Sequence, residues 1–496
     1  MIVGSEHLRF WCDMSMECIR RDHTSELSPG DQRGPFLTAR ALGMALAALH
    51  DAHAVASARP PLLGIVAHAS AMAPNPELAA SAACAQVLRL RYPNQANLLE
   101  VAWTHWLEYF GLYPASSPAG SPPTHPVEAA GRAYGTLMHR KGAADVANSA
   151  SDQYMPTGAP YNHAAPANET TQGFAGGIWG NSMPLLATRV ATFPGPPGRV
   201  SPARVDPTHH FAQDFAKVVA KGEDSRAACD RSLKEEVIGI AWGYDGAAQL
   251  GTPPRLYMQV VLNILDTIEA RSPAALSVSD ELELLAGIAI AMADAGIDAW
   301  HYKYAGSHMM WRPAIGVPNA VAGNGSATPS WQPLGRPDTN GGGQRLPPNF
   351  PAYPSGHATF GAAAFQLLRL YLAEKGVAAF AADGIDDIRF EFVSDEFNGR
   401  NADPRTRHPR EHVTLGYESL WAAIVDNSVS RVYLGVHWQF DGITTRSADG
   451  TADEYGIPSS PSALGQTGGV WLGAQIANQI ALRLGVSPAT ITASRM

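Results

Sequence analysis

The chain has 496 residues, 45% hydrophobic and 16% charged, a composition that supports a large buried core and excludes wholesale disorder. Its 36 basic residues against 45 acidic ones give a formal charge of −9, which favours solubility and argues against nonspecific nucleic-acid binding while leaving room for a local basic pocket. The 47 glycines and 38 prolines gather between helical stretches and predict long packed loops.

Residues 1–35 read as polar and irregular, and they lack the basic start and apolar run of a secretory leader, so the expectation is a soluble, cytoplasmic protein. Residues 36–52, FLTARALGMALAALHDA, predict the first long buried helix, and a helical pattern returns from about 76 to 111. PASSPAGSPPTHP at 114–126 reads as a loop, followed by helix in PVEAAGRAYGTLMHRKG. The irregular passage 154–180 is rich in aromatic residues, and Tyr154, Tyr161 and Trp179 are expected to anchor it. Its NET triplet at 168–170 matches a glycosylation pattern that carries little weight without a leader.

Residues 211–223 and 232–250 predict amphipathic helices, and a longer pair follows at 254–271 and 279–306. Ser279, Asp280, Glu281 and Glu283 supply helix-start chemistry to the second of these. Its middle, LLAGIAIAMADA, is apolar nearly all round and belongs at the centre of a bundle. Residues 314–354 form a functional loop system rather than a linker. Helix resumes in PSGHATFGAAAFQLLRLYLAEKG, FEFVS at 390–394 suits a short strand, and 411–437 predicts another helix. Acidic residues at 395–396 and the basic run RTRHPR at 405–410 suit local pairing around a loop.

The predicted fold is therefore all-α, a large helical bundle with long loops and room for a few short strands. It divides into an extension (1–35), an N-terminal helical region (36–250), a catalytic helical region (251–445) and a C-terminal loop and helix (446–496). No stretch approaches the roughly 18 apolar residues of a membrane span. Cys12, Cys18, Cys84 and Cys229 make neither a disulfide framework nor a metal knuckle, so they read as thiols or packing groups, with a Cys12–Cys18 bridge the one local alternative.

Three separated segments supply what an oxyanion site needs: Lys303 with Arg312-Pro313, Pro354-Ser355-Gly356-His357, and Ser430-Arg431 followed by Gly435, His437 and Asp441. Lysine and arginine offer charge-assisted donors, serine and a glycine N–H offer neutral ones, and two histidines can exchange protons or ligate. Ser355-Gly356-His357 stands where a helix begins, with unpaired N–H groups that attract anions. Arg431 and His437 lie about 240° apart on an ideal helix, so a bend or helix end at Gly435 is required to bring them together. The spacing of His437 and Asp441 lets the carboxylate fix the imidazole tautomer.

Lys303 with Arg-Pro, then PSGH, then SRVYLGVHWQFD resembles the vanadium haloperoxidase and type 2 phosphatidic-acid-phosphatase superfamily. The wider text DQRGPFLTARALGMALAALHDA, YMPTGAP, YPSGHATFGAAAF and NSVSRVYLGVHWQFDG resembles its algal and cyanobacterial bromoperoxidase branch, over residues 31–445. The resemblance implies one vanadate per subunit, bound at vanadium by His437 and around its oxygens by Lys303, Arg312, Ser355, the Gly356 N–H and Arg431. His357 would be the acid–base group, with hydrogen peroxide, bromide or chloride and a small organic acceptor as the other participants. It also implies a homodimer or higher homo-oligomer.

The family spaces the lysine and arginine about seven or eight residues apart; nine puts Lys303 and Arg312 on opposite faces of an ideal helix, so the helix must end or bend near Gly306 and Ser307. Phe350 stands where algal bromoperoxidases have histidine and fungal chloroperoxidases have phenylalanine, which bears on halide choice together with Tyr302. His301 and His308 belong to no second cluster, and Asp294 and Asp298 share a helical face that requires partners. Two rival readings are an acid phosphatase of the same superfamily, with His437 as nucleophile, and an inactive anion-binding oligomer.

Overall fold

The computed structural model describes residues 6–109, 125–146, 154–167, 169–170, 172–197, 199–201, 204–205, 210–321 and 325–496. Most of the 114–126 loop and Asn168 of the NET triplet lie outside the described residues. Sixteen α-helices carry the described chain and the strands are short, which makes it all-α as the composition and periodicity predict.

The first half comprises α1 (Glu6–Asp22), α2 (Pro35–Ala56), α3 (Ala69–Met72), α4 (Pro76–Arg91), α5 (Ala96–Tyr109), α6 (Pro126–Arg140), α7 (His210–Gly222) and α8 (Leu233–Ala241). The second comprises α9 (Pro253–Arg271), α10 (Val278–Tyr304), α11 (Pro313–Gly316), α12 (Gly356–Glu374), α13 (Leu420–Tyr433), α14 (Gln439–Gly442), α15 (Gly469–Arg483) and α16 (Pro488–Ser494). Strands pair as three antiparallel hairpins, β1 (Arg199–Ser201) with β2 (Arg204–Val205), β3 (Phe390–Asn398) with β4 (His412–Tyr417), and β5 (Thr445–Arg446) with β6 (Asp453–Glu454).

The centre is α10, whose residues from Leu284 to Trp300 are buried without interruption. It packs on α2, α12 and α15. Small residues allow close approach: a Cβ on Gly131 or Gly135 of α6 would lie 2.4 Å from the Ala79 carbonyl or 2.3 Å from that of Ala83, both on α4. The small-residue stripes of these helices are thus consumed inside the chain. Tyr161 and Trp179 are buried, and the Tyr154 hydroxyl donates to the His163 carbonyl at 2.6 Å, so all three aromatics anchor the irregular passage as expected.

Several local expectations are corrected. The N-terminal segment contains α1, which buries Leu8, Trp11, Cys12 and Ile19; its polar residues line the outer face and mask the apolar stripe. The 76–111 pattern is broken at Pro93, where a 3₁₀ turn separates α4 from α5. Residues 242–250 leave the helical path after α8, and α10 is capped by Ser277 reciprocally with Asp280 rather than from Ser279. The start of the 411–437 segment is β4, paired with the FEFVS strand, and α13 begins only after the Ser419 cap. The predicted pairing around this hairpin is present: Arg410 reaches Glu396 at 2.7 Å and Asp403 at 3.3 Å. All four cysteines are free, with Cys12, Cys18 and Cys84 buried. Among the described residues, no helix is long and apolar enough to cross a membrane.

Candidate functional site

Lys303 occupies the last turn of α10, the helix stops at Tyr304, and a turn through 305–309 carries the chain to Arg312, the residue before α11. The helix end absorbs the nine-residue spacing, and both side chains are fully buried. Lys303 Nζ donates to the carbonyls of Pro351 (2.9 Å), Ala352 (3.1 Å) and Pro354. Burial, then the charge of Arg312, presses Lys303 well below its ordinary range. The three carbonyls are a set only the ammonium form can fully satisfy. Arg312 donates from Nε to the Phe350 carbonyl (2.8 Å) and from Nη1 to the Val436 carbonyl (2.8 Å), and Nη1 also lies 3.0 Å from His437 Nε2.

Ser355 caps α12: its Oγ accepts from the Ala358 N–H at 3.4 Å and its own N–H donates to the Asp441 carbonyl at 2.7 Å. Gly356 and His357 therefore open the helix, where backbone N–H groups have no intrahelical acceptor. Arg431 lies in the last turn of α13, which ends before Gly435. Gly435 has φ +67°, and a Cβ there would stand 2.5 Å from the Gly222 carbonyl. This helix end turns His437 back toward Arg431, as the six-residue spacing requires. The His437 Nδ1 faces Asp441 Oδ2 at 2.9 Å, and the same oxygen accepts from the Trp438 N–H at 2.9 Å. A proton on Nδ1 then leaves Nε2 with its lone pair toward the basic cluster.

The residue that sequence reasoning missed is Asp245. Its two carboxylate oxygens accept from Arg431 Nη2 at 2.8 and 2.9 Å, and Oδ1 lies 3.8 Å from His357 Nε2. Its sequence setting, GYDG, carries only a turn signal. The segment is braced by β3: Ser394 Oγ donates to the Ala241 carbonyl at 2.7 Å, and the Asp395 N–H donates to the Tyr244 hydroxyl at 2.9 Å. His357 Nε2 donates to the Gly243 carbonyl at 2.6 Å, which puts that proton on Nε2 and leaves Nδ1 for exchange. Burial and Arg431 lower the His357 pKa to about 3.

Two guanidinium nitrogens of Arg431, Nε and Nη1, are buried with no hydrogen-bond partner. Orphaned charged donors at this depth are costly unless an acceptor is present. Among the described residues, Lys303, Arg312 and Arg431 face two carboxylates, Asp245 and Asp441, so the cluster as described carries excess positive charge. Arg431, the helix start at Gly356 and the His437 lone pair fit a tetrahedral oxyanion whose central atom accepts a nitrogen ligand.

A cavity of about 410 Å³ leads to this cluster and is lined at its inner end by His357, His437, Asp245, Phe350 and Trp300. The Phe350 ring packs 4.7 Å from Trp300 and 5.1 Å from Lys303 Nζ. Tyr302 turns away into an aromatic group with Phe193 and His308 and donates to the Val190 carbonyl. His308 is held by the Phe193 carbonyl (2.8 Å), and His301 packs against Gly180. Among the described residues, no group of three or more metal-ligating side chains is assembled. Asp294 accepts three backbone N–H groups from Leu185, Leu186 and Ala187, and Asp298 accepts from Val190, so both carboxylates pin a loop.

Residues 283–449 match the family model described as the VCPO second helical-bundle domain. The chain is 29% identical to vanadium chloroperoxidase of Curvularia inaequalis, over 96% of this chain and 90% of that protein. Among solved structures it is similar to a bacterial vanadium-dependent iodoperoxidase, with TM-score 0.62 and 17% identity over 95% of this chain and 96% of the other. A holo-type bacterial vanadium-dependent chloroperoxidase is similar at TM-score 0.62 and 14% identity, with the same coverage.

Proposed function

We infer that this chain belongs to the vanadium haloperoxidases, and propose that each subunit holds one vanadate and uses hydrogen peroxide to oxidise bromide to a hypohalous-acid-like species. The observation that carries this reading is the pair of buried, unpartnered Arg431 nitrogens beside the His437 lone pair. His437 Nε2 would bind vanadium, with Asp441 holding the opposite ring nitrogen. Arg431, Arg312, Ser355 Oγ and the Gly356 N–H would hold the oxygens, and Lys303, its three N–H groups held by carbonyls, would act on them through its charge. Bound vanadate would supply Lewis-acid activation of peroxide toward the halide.

The chain's own groups do the remaining work. His357 presents Nδ1 to take a proton from peroxide as it binds and to return one to the departing oxygen, while Gly243 keeps its other nitrogen protonated. Lys303 and Arg312, fixed by backbone carbonyls, stabilise negative charge without reorganising. Phe350 and Trp300 make the inner wall apolar, which favours stripping water from the halide. Bromide is the proposed halide, and Phe350 is the proposed determinant of how far chloride is also oxidised. Self-association is proposed from the resemblance alone, and sedimentation velocity tests it.

The test is peroxide-dependent halogenation by metal-stripped protein, with and without vanadate, using bromide and chloride in parallel. Activity restored by vanadate supports the assignment, and the chloride-to-bromide rate ratio, with Phe350→His alongside, tests the role of Phe350. Hydrolysis of a phosphate monoester with no turnover of either halide would instead place the chain functionally with the phosphatases.

A further inference from the structure

The cavity is larger than the proposed inorganic substrates require. Its volume of about 410 Å³ falls within the range of sites that enclose small organic molecules. A halide or a peroxide needs roughly the space of one water molecule, ~30 Å³. Trp300, Phe350 and Phe360 give the interior aromatic surface, joined by prolines such as Pro253 and Pro348.

Arg33 and Arg336 also line this cavity. Arg33 is exposed and Arg336 half-buried, whereas Trp300, Phe350 and His357 are buried, so the two arginines stand toward the solvent end. Neither guanidinium has a carboxylate partner among the described residues, in contrast to Arg345 on Asp224 and Arg410 on Glu396 nearby. His23 does not share their role: Nδ1 lies 2.9 Å from the Ile19 carbonyl and Nε2 accepts from the Gly34 N–H at 3.3 Å. Asp245, the carboxylate lining the cavity, is already held by Arg431. A chain of net charge −9 thus presents uncompensated positive charge at the mouth of an aromatic-walled cavity.

We propose that the cavity binds the organic acceptor itself, and that this acceptor is a small electron-rich aromatic carboxylate, its ring against Trp300 and Phe350 and its anionic group at Arg33 and Arg336. This rests on the haloperoxidase reading for its chemistry. Halogenation then occurs within the cavity: ring C–H is replaced by C–Br, with ArH + Br⁻ + H₂O₂ + H⁺ giving ArBr + 2 H₂O. Bromide loses two electrons to the peroxide, and the ring proton leaves as the new bond forms.

The experiment compares calorimetric binding of 4-hydroxybenzoate and its neutral amide, 4-hydroxybenzamide, to the vanadate-loaded chain and to the Arg33→Gln/Arg336→Gln double variant. The acid is expected to bind about tenfold more tightly than the amide, the ratio one charge-assisted contact supplies, and the double variant is expected to reduce that ratio to below about twofold. Similar affinities in the unmodified chain, binding of neither probe, or a preference that survives in the double variant overturns the proposal. The last result would place the carboxylate at the deeper cationic cluster. Vanadate uptake by equilibrium dialysis and bromide-dependent peroxide consumption are measured in parallel. Their absence counts against the haloperoxidase reading, while the binding comparison stands on its own.

Discussion

Arg431 commits one nitrogen to Asp245 and leaves two donors buried without partners. Arg431→Lys keeps a cation beside Asp245 but loses the planar fork. It is expected to raise the vanadate dissociation constant by roughly 10- to 100-fold, the worth of one charged hydrogen bond, read by equilibrium dialysis. An unchanged constant would remove Arg431 from the cradle. His163 supplies a second case. Both of its ring nitrogens are buried and unpartnered, and burial, then Arg312 and Lys303, holds its pKa well below 6.5. As pH falls below 6.5, the unfolded chain gains a proton that folded His163 refuses, so its contribution to stability declines toward acid. His163→Phe is expected to stabilise the vanadate-free protein by about 1–3 kcal/mol, with a larger gain at pH 5 than at pH 8 in urea unfolding. Equal gains at both values would rule out this linkage. Arg431 was legible in sequence because its neighbours form a motif; His163 and Asp245 were not, since each acquires its environment from residues far away in the chain.

At the level of elements, two helix ends make the site. The sequence pattern demanded a break between Lys303 and Arg312 and another near Gly435, and α10 and α13 stop where required. Less visible were α1, whose polar face hides its stripe, and β4, whose alternation gains meaning only beside β3. Gly435 is the sharper test. Alanine there must adopt φ near +67° and meet the Gly222 carbonyl, at an expected cost of about 1–3 kcal/mol. Because this turn aims His437, Gly435→Ala is also expected to weaken vanadate binding. Gly485→Ala is the control: φ is +80° with nothing within 4 Å of the added Cβ, so it should lower the unfolding midpoint without changing vanadate affinity. Equal binding losses in the two variants would make the effect of Gly435 one of general stability.

Across the whole molecule, the all-helical architecture was legible because long apolar periods need one another to be buried, and α10 shows this most plainly. What the sequence could not display is the electrostatic cost at the centre: three fully buried cations face two carboxylates inside a chain whose net charge is −9. A bound oxyanion relieves that imbalance, while unfolding releases it, so the anion must stabilise the folded state by linkage. Vanadate at one hundred times its dissociation constant is expected to add about 2.7 kcal/mol to unfolding stability, and phosphate should act in the same direction at higher concentration. Arg431→Lys should shift the vanadate response to higher concentration, because its site is weaker, whereas Gly485→Ala should begin less stable and show the same response as the unmodified chain. Urea unfolding over a vanadate series reads all three. A midpoint independent of vanadate and phosphate would mean that the buried cations serve the fold alone, and the oxyanion assignment would fall with it.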